Sequence, residues 1–139
     1  MSSLLAGGAV LAEQVTVLIL DGDADLRSLL TDLLSFEGYR ALAVATLDEA
    51  RQTLLRERVG AILADYWARP RHPRDFNLFY DLHQAAPGVP IILCTTHPQV
   101  SAIHPEQHVV FAVLPKPFDL DELLSVVAGA VTWHRRESA

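Results

Sequence analysis

Three apolar runs in this chain each end in a charged residue: residues 15–20 (VTVLIL) run into Asp21, residues 61–64 (AILA) into Asp65, and residues 109–115 (VVFAVLP) into Lys116. A run that is apolar at nearly every position suits a strand covered on both faces, as in a parallel sheet. In an open parallel sheet, ligands and chemistry sit outside the carboxyl ends of the strands. If these runs are neighbouring parallel strands, two carboxylates and one ammonium converge on a single crevice. Charge stored there costs stability unless it binds something, so the pattern points at function.

The bulk properties fit one globular domain. The chain has 139 residues, of which 50% are hydrophobic and 20% charged, and a domain of roughly 150 residues hides about 70% of its unfolded surface. A net charge of −6 argues against a general nucleic-acid binder, which needs a basic face to meet phosphates. The only cysteine, Cys94, lies in an apolar run, so no disulfide framework exists and a reducing, cytoplasmic setting is expected. No apolar stretch approaches the ~20 residues of a membrane span. Residues 1–14 lack the basic start of a signal peptide and read as a flexible extension, with pairing against another chain as the alternative. Residues 134–139 read as a C-terminal tail, which leaves residues 15–133 as the domain.

Strand-like and helix-like segments alternate along those residues. After the first run, Leu26, Leu29, Leu30, Leu33 and Leu34 recur at helical spacing, with Gly38 as a stop. Residues 39–45 form a plausible second strand. Thr46 followed by Glu49 reads as a capping box opening a helix with Ala50 and Leu54 on one face. Phe76, Phe79, Tyr80 and His83 suggest a helix ending near Pro87, and residues 91–94 the next strand. After residues 109–114, Asp119 stands as N-cap of a last helix carrying Leu120, Leu123, Leu124 and Val127 inward. Such alternation implies a parallel sheet with helices on both faces. Two segments resist it. Residues 66–75 form an irregular loop with Arg69, Arg71, His72 and Arg74, and residues 95–108, broken by Pro98 and Pro105, have room for a turn or two of helix.

The strand ends carry Asp21 and Asp23, then Asp65, Thr95 and Lys116. A carboxylate is a competent nucleophile towards a phosphoryl group when the charge of the transferring group is neutralised. Magnesium held by carboxylates, a lysine ammonium and a hydroxyl supply such neutralisation. Lys116 beside Asp65 would equally make a good structural ion pair.

With these residues in place the chain resembles a response-regulator receiver domain. The motifs are VLILDGDADLR at residues 17–27, AILAD at 61–65, IILCT at 91–95 and LPKPF at 114–118, and together they span nearly everything from residue 15 to 131. The resemblance implies a flavodoxin-like five-stranded parallel sheet of order 2-1-3-4-5 and a cis peptide between Lys116 and Pro117. It puts Asp65 at the phosphoacceptor position, Thr95 at the switch hydroxyl, Lys116 at the lysine that pairs with the phosphoryl group, and Asp21 first in the acidic pair. The metal set it implies is Asp21 and Asp65, with Asp23 as a stand-in. The implied partners are a histidine kinase or phosphotransfer protein and a downstream protein. A homodimer through the last strand–helix unit follows by analogy alone. The output is a changed protein-interaction surface, not an enzymatic turnover.

Several positions depart from the family pattern. Gly22 stands where the second carboxylate, the direct metal ligand, is expected, so magnesium binding should be weakened. Asp23 is the candidate substitute, although its place before a helical pattern suits an N-cap better. Val113 replaces the usual aromatic switch residue, and the fourth helix is expected to be short or irregular. The alternative function is therefore a pseudo-receiver, an interaction module with little or no magnesium-dependent phosphorylation. An enzyme on this scaffold is disfavoured, because no Gly-rich phosphate loop follows the first strand and no convincing catalytic histidine is present. The basic loop 69–74 reads as a solvated surface, with replacement of the missing metal charge as the sharper alternative. His97, His104 and His108 read as incidental loop histidines. Trp67 reads as a lid or local packing, and Trp133 as packing on the domain or a neighbouring chain.

Overall fold

The computed structural model describes residues 14–66, 77–95 and 110–138. Its elements in chain order are β1 (Thr16–Leu20), α1 (Ala24–Phe36), β2 (Arg40–Val44), α2 (Leu47–Arg56), β3 (Ala61–Tyr66), α3 (Asn77–Ala85), β4 (Ile91–Thr95), β5 (Val110–Pro115) and α4 (Leu120–Ser138). The five strands form one parallel sheet in the order β2-β1-β3-β4-β5, as expected for a flavodoxin-like fold.

The apolar runs sort their side chains by simple alternation. Val17, Ile19, Ala61, Leu63, Ile92 and Cys94 pack into one core with Leu30 and Leu34 of α1 and Leu123, Val127 and Ala130 of α4. Leu18, Leu20, Ile62, Ala64, Ile91 and Leu93 pack into a second core with Ala50 of α2 and Leu82 of α3. Since successive side chains of a strand point to opposite faces, a sheet buried on both sides needs apolar residues at every position. That is why β1 and β4 are buried throughout.

Local signals set the helix ends. Asp23 caps α1, accepting from the N–H groups of Asp25 at 2.9 Å and Leu26 at 3.2 Å. Thr46 and Glu49 form the expected capping box on α2. Asp119 accepts from the Glu122 N–H at 2.7 Å at the start of α4. Gly38 ends the α1 turn at a φ of +98°, a conformation that favours glycine. At Gly60 a β-carbon would lie 2.7 Å from Val15 Cγ1, so the chain enters β3 too close to β1 for a side chain.

Three boundaries differ from the sequence reading. β3 continues through Asp65 and Tyr66, because their backbones pair in register with Cys94 and Thr95 of β4. β5 runs from Val110 to Pro115 and begins with a register irregularity opposite Ile91 and Ile92, so Val110 and Val113, three residues apart, face the same core. Residues 134–138, read above as a tail, continue α4. That stretch contains no glycine or proline, and Arg135 and Arg136 in the last turn complement the negative end of the helix dipole. Trp133 packs its ring 5.9 Å from that of Phe111 across α4 and β5. The basic loop 69–74, Trp67, the histidines 97, 104 and 108, and the expected irregular fourth helix lie outside the described residues. No helix among the described residues is long and apolar enough to cross a membrane.

Candidate functional site

The sheet order creates the site. From β1 the chain crosses to β2 on one side and then returns to β3 on the other, so β1 and β3 flank the point where the winding reverses. The carboxyl ends of those two strands are where an open α/β sheet presents its crevice. Asp21 extends β1 by one ladder bond, its N–H donating to the Val44 carbonyl at 3.1 Å. Asp65 lies in β3, paired in register with Cys94.

Lys116 joins the two. Its Nζ donates to Asp65 Oδ1 and stands 3.9 Å from Asp21 Oδ2. The Lys116–Pro117 peptide is cis, as the family resemblance implies. The Lys116 N–H donates to the Thr95 carbonyl at 2.7 Å, which fixes the lysine backbone to the end of β4. Thr95 itself is fully buried. Thus Asp21, Asp65 and Lys116 converge as expected, and Thr95 is bound to the lysine through the backbone. All four hang from strand ends, so the sheet rather than a loop sets their spacing.

Burial decides the electrostatics. Asp21 is only 3% exposed, and desolvation pushes its carboxyl pKa upward. The Asp23 N–H, donating to Asp21 Oδ1 at 2.8 Å, pulls the other way; the Asp65 carboxylate adds to the rise, and Lys116 opposes it. On the strand beside Asp65, burial pushes the Cys94 thiol up to about 12, which leaves it inert rather than nucleophilic. Sequence reasoning had given Cys94 no place in the site; its position directly after Leu93 and before Thr95 was the available signal.

Magnesium is commonly held by one or two carboxylates, its own waters and substrate phosphate oxygens. Asp21 and Asp65 meet that minimum. A third carboxylate is not supplied: position 22 is glycine, Asp23 Oδ1 accepts two helix N–H groups, and no group of three or more metal-ligating side chains occurs among the described residues. Asp21 and Asp65 therefore fit a magnesium ion held by two carboxylates.

Beside Lys116 an apolar cleft of about 440 Å³ opens between α1 and the start of α4, lined by Leu26, Leu29, Leu30, Pro117, Phe118 and Leu120. Leu29 and Leu120 are 51% and 43% exposed, so the cleft presents apolar surface to solvent. A second cavity, of about 470 Å³, lies at the opposite, amino ends of the strands among Thr16, Arg40, Glu57 and Arg58, and contributes nothing to the carboxylate site. One further contact was missed in sequence: Arg27 Nη1 donates to the Asp21 carbonyl at 2.8 Å. Its six-residue separation from Asp21, one turn into the helix, was the only signal.

Comparison with known proteins agrees with this geometry. The family model for the response regulator receiver domain matches residues 17–128. The transcriptional regulatory protein GlrR of Escherichia coli is 31% identical over 116 residues, covering 83% of this chain and 26% of that protein. This chain spans about a quarter of the length of the curated relatives it matches. Among solved structures, a CheY-like receiver domain protein from Methanospirillum hungatei superposes with a TM-score of 0.79 at 21% identity, covering 90% of this chain and 99% of that one. The response regulator TrrA from Thermotoga maritima, solved in complex with magnesium and beryllofluoride, superposes with a TM-score of 0.71 at 19% identity, covering 84% and 99%.

Proposed function

This chain belongs to the response regulator receiver domain family, and we propose that within it Asp65 accepts a phosphoryl group from a phosphohistidine of a kinase or phosphotransfer partner. The observation that carries the proposal is the convergence of Asp21, Asp65 and Lys116 at the strand ends, with Lys116 anchored to Thr95. A carboxylate oxygen of Asp65 attacks phosphorus as the phosphorus–nitrogen bond breaks, and the electron pair leaves with the imidazole. The product is an acyl phosphate on Asp65. Lys116, already in contact with Asp65, moves its charge to a phosphoryl oxygen, and the Thr95 hydroxyl donates to another. Asp21 and Asp65 would hold magnesium, which would supply neutralising charge for the phosphoryl oxygens.

The apolar cleft beside Lys116 gives the donor its docking surface. A helix presenting its histidine next to apolar side chains covers Leu29 and Leu120 and brings the phosphorus to Asp65. Output is a changed protein-interaction surface in a cytoplasmic setting. The transcriptional roles in the relatives' names refer to proteins about three times as long.

A second reading has its own support. Gly22 removes one carboxylate and Asp23 is engaged as a helix cap, which weakens the magnesium site and favours a pseudo-receiver working as an interaction module. Titration with beryllofluoride and magnesium, followed through the amide resonances of Asp65 and Thr95, separates the two. Saturable shifts at both residues support phosphoacceptance. No shift at millimolar magnesium leaves the pseudo-receiver.

A further inference from the structure

We infer that Arg27 is a positioning residue for the phosphoacceptor site, acting through the backbone of Asp21. The inference rests on the phosphoacceptor reading and adds to it the group that aims the buried carboxylate.

Asp21 is held at three points. Its N–H donates to the Val44 carbonyl of β2, its Oδ1 accepts from the Asp23 N–H at 2.8 Å, and its carbonyl accepts from Arg27 Nη1 at 2.8 Å. Of these three hydrogen bonds only the third comes from a side chain, while Lys116 Nζ pairs with the carboxylate itself, 3.9 Å from Oδ2. That third bond also acts on the peptide that leads into Gly22, the residue type with the widest backbone freedom. The Asp23 N–H that holds the carboxylate belongs to the next peptide, joined to this one through the φ and ψ of Gly22. A glycine at this position therefore leaves the turn to an outside tether, and Arg27 supplies one.

The tether is itself well rooted. The Arg27 N–H donates to the Asp23 carbonyl at 2.9 Å, within the first turn of α1, and its side chain is half-buried. The guanidinium thus ties the end of β1 to the first turn of α1. A charge-assisted bond is the stronger kind of hydrogen bond, and a displacement of about 1 Å in a reacting group is enough to cost on the order of 100-fold in rate.

The test compares Arg27→Met, which keeps the apolar stem, with Arg27→Lys, which keeps a cationic donor, in the full chain. Amide–water exchange of the Asp23 N–H reports the hold on the Asp21 carboxylate without any phosphorylation, and the Leu26 N–H, bonded to the Asp23 cap, is the internal control. In Arg27→Met, exchange at Asp23 rises by about tenfold, the scale of one lost charged hydrogen bond, while Leu26 is unchanged. Phosphoryl uptake at Asp65 slows by a similar factor, and Arg27→Lys recovers part of both. Unchanged Asp23 exchange in Arg27→Met overturns the inference, as does an Arg27→Lys variant no better than Arg27→Met. A wild-type chain that takes up no phosphoryl group overturns the phosphoacceptor reading instead, a result distinct from either.

Discussion

At the scale of single residues, the site is built from charges that burial works against. Asp21 has a folded-state pKa above its unfolded value of 3.8, with desolvation as the leading cause. The folded chain therefore holds that proton more tightly than the unfolded chain does. The stability linked to Asp21 is greatest below pH 3.8 and is lost as pH rises through the raised pKa. Replacing Asp21 by Asn removes the buried charge, so at pH 7 urea denaturation should show a gain on the order of 1 kcal/mol, the usual size of such functional trade-offs. The gain should shrink towards pH 4, and phosphoryl uptake should fall. Cys94 gives a second check at this scale. With its thiol at about 12 and buried, it should resist alkylation at pH 8 in the folded chain and react fully in denaturant. None of these shifts was legible in sequence, because the apolar runs show which strands are buried but not how deeply a charge at their ends sits.

At the scale of elements, the caps were the most legible feature. Thr46 with Glu49 and Asp119 before Leu120 carry side-chain chemistry whose partners lie within three residues, so local sequence is enough to place them. Strand ends were less legible. Asp65 and Tyr66 are not apolar at both positions, yet they stay in β3 because their backbones pair with Cys94 and Thr95, a non-local bond that a hydropathy pattern does not register. The extension of α4 through Ser138 was missed for a similar reason: exposed polar positions on a helix look like a tail. Asp23 separates two roles, cap and metal ligand. Asp23→Ala should cost about 1 kcal/mol by loss of the cap. Asp23→Ser restores the cap, so it should restore stability and leave magnesium affinity as in wild type; a loss of magnesium affinity in Asp23→Ser would assign Asp23 to the metal instead.

At the scale of the molecule, the sheet order brings together residues that the chain holds far apart. Asp21, Asp65 and Lys116 meet because β1 and β3 are neighbours at the reversal of winding and β4 carries Thr95 to the lysine backbone. This convergence was legible from three charged run ends, once the runs were taken as parallel strands. The tether from Arg27 was not, since nothing in the sequence shows where a long side chain will bend. Gly22 stands where the family resemblance expects a second carboxylate. Returning a carboxylate there with Gly22→Asp should tighten magnesium binding by about tenfold, measured by titration calorimetry, and should speed phosphoryl uptake. Whether Asp65 is a working phosphoacceptor is read from the intact mass of the chain after incubation with a small phosphoryl donor and magnesium. The wild-type chain should gain one phosphoryl group that is absent from Asp65→Asn. No gain in the wild-type chain, or the same gain in Asp65→Asn, would contradict that role for Asp65.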